Sequence, residues 1–152
     1  YPRRTTAPRA ENEPWLSSSV DCVAAAVEAA AEIGVPPERT VIAGFSQGAC
    51  VAAEFARRHP ARYGGLAVLA GTLPGTLAEL RATAIDGSLE GTPLLLGYGT
   101  DDPHVDPDHV VATTRRFEDV AAAVEERRYP ETGHEVTDDE FDAIGAMLEA
   151  VL

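Results

Sequence analysis

The sequence predicts an α/β protein with an open, doubly wound and mostly parallel sheet that has helices on both faces. Segments of helical periodicity alternate along the chain with short apolar runs of strand length. These runs lack the period-two alternation of a half-exposed sheet, which is typical of strands that are buried on both faces. A chain of 152 residues is expected to form one domain, residues 1–152.

Four short segments are predicted to form the strands of this sheet. In chain order they are residues 40–45, 65–70, 93–98 and about 126–129. Ligands of an open parallel sheet bind beyond the carboxyl ends of its strands. The residues that directly follow each strand are therefore the first candidates for function.

Helices are predicted before, between and after these strands. The first follows apolar spacings of three and four over residues 16–31, and an Ala-rich helix over about residues 47–59 follows the first strand without a loop. A third helix begins with Asp106 as N-cap and Pro107 in its first turn. The terminal helix begins with a capping box, in which Glu140 stands three residues after Thr137.

The acidic composition excludes some classes of partner. The chain has 25 acidic and 12 basic residues, a net charge of -13, and no lysine. A field of this sign repels nucleic acid and anionic membrane surfaces.

Surplus carboxylate without lysine is typical of adaptation to high salt, which screens self-repulsion. The alternative is an ordinary acidic cytosolic protein, and a thermal midpoint that rises in molar salt would distinguish the two.

Nothing in the sequence predicts export or membrane insertion. No apolar run approaches the roughly 18 residues of a membrane-spanning helix, and no signal peptide is visible. Cys22 and Cys50 both lie in Ala- and Val-rich helical stretches, so we expect small buried hydrophobes rather than a disulfide or a metal pair. These features predict a cytoplasmic protein in a reducing compartment.

A G-x-S-x-G motif stands at the junction of the first strand and its helix. The residues are Gly44-Phe45-Ser46-Gln47-Gly48, and this context is that of a nucleophile elbow, a sharp turn that exposes a serine hydroxyl. Side chains at positions 44 or 48 are expected to crowd the neighbouring strand and helix. The alternative is a tight glycine-flanked turn whose serine merely caps the helix.

A serine nucleophile needs a base and an acid that orients the base. Asp101 and Asp102 directly follow the third strand, and His134 follows the fourth. The chain order of serine, acid and histidine is that of the α/β-hydrolases. Spacing alone leaves Asp101 and Asp102 equally suitable. His134 is preferred to the other three histidines. His104 lies only two residues from the acid, His109 lies in the first turn of a helix, and His59 lies at the end of a helix.

A metal site is the alternative use of the acidic cluster after the third strand. Six potential ligands lie within nine residues there: Asp101, Asp102, His104, Asp106, Asp108 and His109. The cluster lacks the usual ligand spacings and contains two prolines. Solvated loop carboxylates followed by a capped helix explain it, so no metal is expected.

With these motifs placed, the sequence resembles the phospholipase/carboxylesterase family of α/β-hydrolases, which includes acyl-protein thioesterases. The likeness runs almost end to end and rests on Ala7-Pro8-Arg9, Asn12-Glu13-Pro14-Trp15-Leu16, Val41 to Ala49, Gly71-Thr72-Leu73-Pro74, Asp101 to Val105, Tyr129-Pro130 and Gly133-His134. In that family the acid directly precedes the proline, which favours Asp102. The resemblance implies an α/β-hydrolase fold, Ser46 as nucleophile, Asp102 as orienting acid and His134 as general base.

The resemblance also implies a substrate class and the role of several neighbouring residues. The reaction is hydrolysis of a carboxylic ester or thioester through an acyl-enzyme, with no cofactor. The backbone N–H of Gln47 supplies one oxyanion donor, and Thr72, Leu73 and Pro74 are candidates for the acyl pocket.

Nothing in the sequence matches the family's amino-terminal strands and oxyanion loop. We therefore expect the carboxy-terminal two-thirds of the usual domain, and the alternative function is a partial domain that cannot catalyse without its amino-terminal portion. The strand at residues 41–45 would then be an apolar sheet edge that invites self-association.

Overall fold

The computed structural model describes residues 1–152 and contains one sheet of four parallel strands. The strands are β1 (Val41–Phe45), β2 (Gly65–Leu69), β3 (Pro93–Gly99) and β4 (Ala123–Tyr129), and they lie in the order β1-β2-β3-β4. The predicted parallel sheet is confirmed. Because the strands are parallel, all four carboxyl ends meet at one edge of the sheet.

Five α-helices accompany the strands: α1 (Trp15–Glu32), α2 (Gln47–Arg58), α3 (Leu77–Ala82), α4 (Pro107–Glu118) and α5 (Asp138–Val151). The predicted caps of the last two are confirmed, because Asp106 accepts the backbone N–H of Asp108 and the Thr137–Glu140 capping box is complete. Short 3₁₀ turns occur at Arg9–Asn12 and Pro37–Arg39. No helix is long and apolar enough to span a membrane.

The two faces of the sheet are covered unequally. The main core lies between one face and α1 to α4, and includes Phe55 and Phe117 with alternate residues of β2 and β3. On the opposite face Ala67, Leu69 and Leu95 pack only against α5 and the chain leading into it. Helices lie on both faces, as predicted, but the sequential order β1-β2-β3-β4 contains no reversal of strand order, so these four strands are not doubly wound.

Arg58 joins helix α2 to the start of α1, and a buried carboxylate of α2 holds the Arg58 guanidinium. Glu54 is fully buried, and its oxygens accept hydrogen bonds of 2.7–2.8 Å from the guanidinium groups of Arg57 and Arg58. Arg58 also pairs with Glu13, just before α1. These charge-assisted bonds fix the helix that begins at the serine of the G-x-S-x-G motif.

The two edge strands differ in chemistry. β1 contains only Val41, Ile42, Ala43, Gly44 and Phe45, whereas β4 contains two glutamates and two arginines over residues 125–128. Beside β1, an apolar groove of about 400 Å³ runs between the strand and α1. An apolar edge lacks the charges that commonly protect sheet edges from pairing.

The structure differs from the sequence predictions in several elements of the fold, and the edge strands β1 and β4 contain exposed residues rather than being buried on both faces. Cys22 is exposed and lines the β1 groove, so only Cys50 is the buried cysteine expected. β4 begins at Ala123, three residues earlier than predicted, because Ala123 pairs with Pro93 of β3. Helix α3 was not predicted, since its six residues are too few to display a periodic apolar face.

Candidate active site

Ser46 occupies a strained turn between β1 and α2. Its φ is 55° and its ψ is -120°, a backbone conformation that non-glycine residues rarely adopt. The turn is fixed by a 2.8 Å hydrogen bond from the Ser46 N–H to the Leu69 carbonyl. A Cβ at Gly44 would overlap the Gly48 carbonyl, as the sequence predicts, but a Cβ at Gly48 meets nothing, so that part of the prediction is wrong.

The loop after β2 passes close to this turn. A Cβ on Gly71 would overlap the side chain of Ala49 and the Ser46 carbonyl, so only glycine allows the approach. The loop brings Thr72 to the cleft beside Ser46. It does not bring Leu73 or Pro74 there: Leu73 is fully buried in the main core, and the Pro74 carbonyl accepts hydrogen bonds from the Arg9 guanidinium.

The two aspartates after β3 lie in different environments. The Asp102 side chain is fully buried, and its Oδ1 accepts the backbone N–H of His104 at 2.8 Å. Asp101 is exposed, and its backbone N–H donates to the Thr132 carbonyl. Spacing left the choice between them open, and the structure brings Asp102 to His134.

His134 lies between Asp102 and Ser46. Its Nδ1 is 2.7 Å from Asp102 Oδ2, and its Nε2 is 2.8 Å from Ser46 Oγ. The imidazole is flanked by the rings of Phe45 and His104, each with a centroid 4.8 Å away. These two rings limit the space in which the imidazole can turn.

A close approach beneath His134 positions its loop. A Cβ on Gly99 would overlap the carbonyl oxygens of Thr132 and Gly133, so the loop after β4 can lie directly on the end of β3 only because residue 99 is glycine. Sequence reasoning did not single out Gly99. Its position at the strand end, directly before the Thr100-Asp101-Asp102 turn, was the available signal.

The three side chains form a path along which a proton can move. When Nδ1–H donates to Asp102, Nε2 has a free lone pair that accepts the Ser46 hydroxyl proton. The buried carboxylate favours that tautomer and stabilises the imidazolium that forms after proton transfer. The arrangement can therefore activate a serine hydroxyl as a nucleophile.

The backbone N–H of Gln47 is available near the serine. Gln47 is the first residue of α2, and the first four N–H groups of a helix have no acceptor within it. The helix dipole adds partial positive charge at this end. The Gln47 side chain points to the amino-terminal segment, where its Nε2 donates to the Tyr1 carbonyl at 2.9 Å.

Ser46 and His134 open into a cleft of about 780 Å³, which we call the Ser46 cleft. His109 of α4 also lines this cleft, although sequence reasoning set it aside as part of a helix start. It is 5% exposed, and neither ring nitrogen has a hydrogen-bond partner. No group of three or more histidine, cysteine or acidic side chains is arranged to hold a metal ion.

Comparison with known proteins places this geometry in context. A family model described as Phospholipase/Carboxylesterase matches residues 1–152. The chain is 33% identical to a phospholipase/carboxylesterase of known crystal structure from Dyadobacter fermentans, with a TM-score of 0.86 over 99% of this chain and 70% of that one. Its four parallel strands and helices thus correspond to those of an α/β-hydrolase.

Two curated relatives are named as a carboxylesterase and an acyl-protein thioesterase. The chain is 28% identical to carboxylesterase SOBER1 of Arabidopsis thaliana over 76% of this chain and 50% of that protein. It is 26% identical to acyl-protein thioesterase 1 of Schizosaccharomyces pombe over 93% of this chain and 63% of that protein. The chain therefore spans about half to two-thirds of the length of these relatives.

Proposed function

Because the chain belongs to the phospholipase/carboxylesterase family, we propose that it is a serine hydrolase that cleaves carboxylic esters or thioesters through an acyl-enzyme. In the first half of the reaction, the Ser46 oxygen attacks the substrate carbonyl carbon while His134 Nε2 takes the hydroxyl proton. The tetrahedral intermediate collapses, the C–O or C–S bond breaks, and the leaving alcohol or thiol takes the proton from His134.

Water completes the cycle. His134 takes a proton from a water molecule, whose oxygen attacks the acyl carbon on Ser46. Collapse of the second tetrahedral intermediate releases a carboxylic acid and returns the proton to Ser46 Oγ. Asp102 keeps its charge throughout and orients the imidazole. No cofactor takes part in this sequence.

The oxyanion formed in both halves needs hydrogen-bond donors. We assign one donor to the backbone N–H of Gln47, at the positive end of α2. Hydrolases of this kind use a second donor from another loop, and loss of one donor typically costs about 2.7–4 kcal/mol of transition-state stabilisation. With Gln47 alone, the chain would form the acyl-enzyme slowly.

The observation that carries the proposal is the continuous pair of short contacts, 2.8 Å from Ser46 to His134 and 2.7 Å from His134 to Asp102. A fluorophosphonate probe tests it, because such probes react with activated serines. We expect intact-mass measurement to find one adduct on the parent protein and none on Ser46→Ala. A folded parent protein without an adduct would contradict an activated Ser46.

The alternative is a partial domain that needs further polypeptide for turnover. Its support is the length of the relatives, of which the chain covers 50% and 63% in the two cases above. Probe labelling without ester turnover would favour this alternative. Adding the relatives' amino-terminal portion should then produce turnover that depends on Ser46.

We also propose that copies of this chain associate through β1. The strand lies at the edge of the sheet, has no charged residue, and borders an apolar groove. Light scattering at micromolar concentration should find dimers or larger species. Ala43→Lys places a charge on the exposed edge and should make the protein monomeric. Ala123→Lys, on the already charged β4 edge, is the matched control and should leave the association unchanged. A monomeric parent protein would refute this proposal.

A further inference from the structure

Two arginines line the Ser46 cleft, although the chain as a whole is acidic. Arg3 and Arg4 line it together with three histidines, and Asp106 is its one acidic lining residue. The chain as a whole has a net charge of -13. Arginine cations inside a concave site attract anions to it.

The two arginines are held at the cleft by their backbone. The Arg3 N–H donates to Asn12 Oδ1 at 2.9 Å, and Asn12 Nδ2 donates to the Arg4 carbonyl at 3.4 Å. Asn12 is itself fully buried. The next carbonyl, that of Thr5, accepts the Gly75 N–H at 2.7 Å. The segment is thus attached to the body of the protein at three successive residues.

The guanidinium groups of Arg3 and Arg4 are free. The ion pairs of this protein involve other arginines, which are Arg9, Arg57, Arg58, Arg116 and Arg127. Neither Arg3 nor Arg4 donates a side-chain hydrogen bond to the protein. Two unpaired arginine forks beside a nucleophile can bind a planar anion such as a carboxylate.

His109 supplies an independent sign of a polar ligand. Its imidazole is 5% exposed and lines the same cleft, yet both ring nitrogens lack hydrogen-bond partners. Its Nδ1 lies 3.3 Å from Asp106 Oδ2, in a geometry too poor for a hydrogen bond. Buried polar groups are normally satisfied, and a polar group of a bound ligand would satisfy this one.

The walls of the cleft offer little to a long acyl chain. Its hydrophobic lining residues are Cys50, Ala70 and Val105, all of them small or medium in size. Ligand pockets in general are lined predominantly by hydrophobic and aromatic side chains, and this cleft has few of them. The lining instead suits a short, polar substrate.

We propose that the substrate is a short ester or thioester that bears a second, ionised carboxylate, bound by Arg3 and Arg4 and assisted by His109. This inference rests on the proposed ester hydrolysis and names its substrate class. The carboxylate is held at the arginines while the ester carbonyl lies at Ser46. Exposed ion pairs are individually weak, so we expect a preference of about fivefold rather than an absolute requirement.

The test compares two esters that differ in one group. p-Nitrophenyl butyrate and p-nitrophenyl hemisuccinate share a leaving group, but only the hemisuccinate ends in a carboxylate. We expect kcat/KM to be about fivefold higher for the hemisuccinate. In the double variant Arg3→Gln, Arg4→Gln the ratio should fall to about one. Arg115→Gln, which removes an exposed arginine outside the cleft, should leave the ratio unchanged.

The contribution of His109 is tested by a conservative pair of variants. His109→Gln keeps a side-chain donor and should retain most of the preference for hemisuccinate, whereas His109→Leu should reduce the preference further. Equal losses in both variants would remove His109 from the proposal. Equal kcat/KM values for the two esters in the parent protein, or a preference that survives loss of both arginines, would overturn the proposal itself.

Calorimetry with monomethyl succinate separates this inference from the proposed hydrolysis. The Ser46→Ala protein cannot acylate, so it reports binding alone. We expect it to bind monomethyl succinate more tightly than methyl butyrate, and to lose the difference when Arg3 and Arg4 are replaced. Binding of the acid without turnover of any ester by the parent protein would overturn the hydrolysis and retain the anion site. Ester turnover without selective binding of monomethyl succinate would retain the proposed hydrolysis and overturn the anion site.

Discussion

Two histidine–aspartate pairs face the Ser46 cleft, and they differ in which partner is buried. In the pair of His134 and Asp102 the acid side chain is fully buried and lies 2.7 Å from Nδ1. In the pair of His109 and Asp106 the imidazole is buried, the acid side chain is 49% exposed, and the separation is 3.3 Å. A buried carboxylate acts through a low dielectric and orients its histidine strongly, whereas water screens an exposed one. Proximity to an acid alone therefore does not make a base.

The origins of the two pairs explain this difference. His109 and Asp106 are three residues apart at the start of α4, so ordinary helix geometry makes them neighbours. His134 and Asp102 are 32 residues apart and meet because β3 and β4 end at the same edge of the sheet. The local pair lies on a solvent-facing helix start, while the remote pair lies between two strand ends, where a carboxylate can be enclosed.

Removing each imidazole in turn tests whether the two pairs contribute differently to activity, and this test should give the largest difference. His134→Ala should lower kcat/KM for p-nitrophenyl butyrate by about 10⁴-fold or more, because no base remains for Ser46. His109→Ala should leave kcat/KM for this uncharged ester nearly unchanged, since the contact proposed for His109 is with a substrate carboxylate that butyrate lacks. Steady-state kinetics of both variants would decide. Similar losses would mean that the acid's burial does not distinguish the pairs.

Removing the charge of each aspartate compares the two pairs again, with a smaller chemical change than removal of an imidazole. Asp102→Asn should reduce kcat/KM by about 10⁴-fold, because the amide favours the wrong tautomer of His134. Asp106→Asn should cost less than about threefold, since asparagine is an equally good N-cap for α4. Thermal midpoints within a few degrees of the parent protein would show that both variants fold. A large loss in Asp106→Asn would contradict the interpretation.

A glycine substitution should disturb one pair and spare the other. Gly99→Ala places a Cβ against the carbonyls of Thr132 and Gly133 and so should displace His134, whereas neither α4 nor His109 is among the nearest contacts of that Cβ. Misplacement by about 1 Å commonly costs about 10²-fold in rate. Gly133→Ala, in the same loop but with open space around its Cβ, is the matched control and should retain activity. Equal activity of both variants would refute the positioning role of Gly99.

The smallest effect is expected from the ring that flanks His134. His104→Ala removes the edge-on contact at 4.8 Å, and aromatic pairs of this kind contribute about 0.5–1.5 kcal/mol, equivalent to about two- to tenfold in rate. His59→Ala removes a stacked ring on Phe55, outside the cleft, and should not change kcat/KM. Kinetics that are identical for the two variants would show that the ring contact does not orient His134.

Much of the fold could be predicted from the sequence because its signals are local. The apolar run that becomes β1, the junction at Ser46 and the caps of α4 and α5 each depend on a few adjacent residues. Helix α3 has a complete capping box, Thr76 with Glu79, but it is too short for a periodic apolar face. The start of β4 lies in an alanine run without strand character and is set by its pairing with β3.

The sequence predicted which loops carry the residues of the candidate site. It did not predict the direction in which individual side chains point. Asp101 and Asp102 are neighbours with identical side chains. Backbone hydrogen bonds of this turn, from Asp101 to Thr132 and from His104 to Asp102 Oδ1, accompany the direction of the second carboxylate toward His134. The burial of Leu73 and of His109 depends in the same way on which side of a loop or helix faces the body of the protein. Such choices are made by tertiary packing, which no local pattern contains.

The groove beside β1 gives this protein a natural reporter position. Cys22 lies in the groove wall and is exposed, whereas Cys50 is only 2% exposed. A maleimide fluorophore should therefore label Cys22 selectively in the folded chain, without any engineered cysteine. Its emission would respond when a strand covers the groove and would stay constant when a ligand enters the Ser46 cleft, so events at the sheet edge and at the serine can be followed separately.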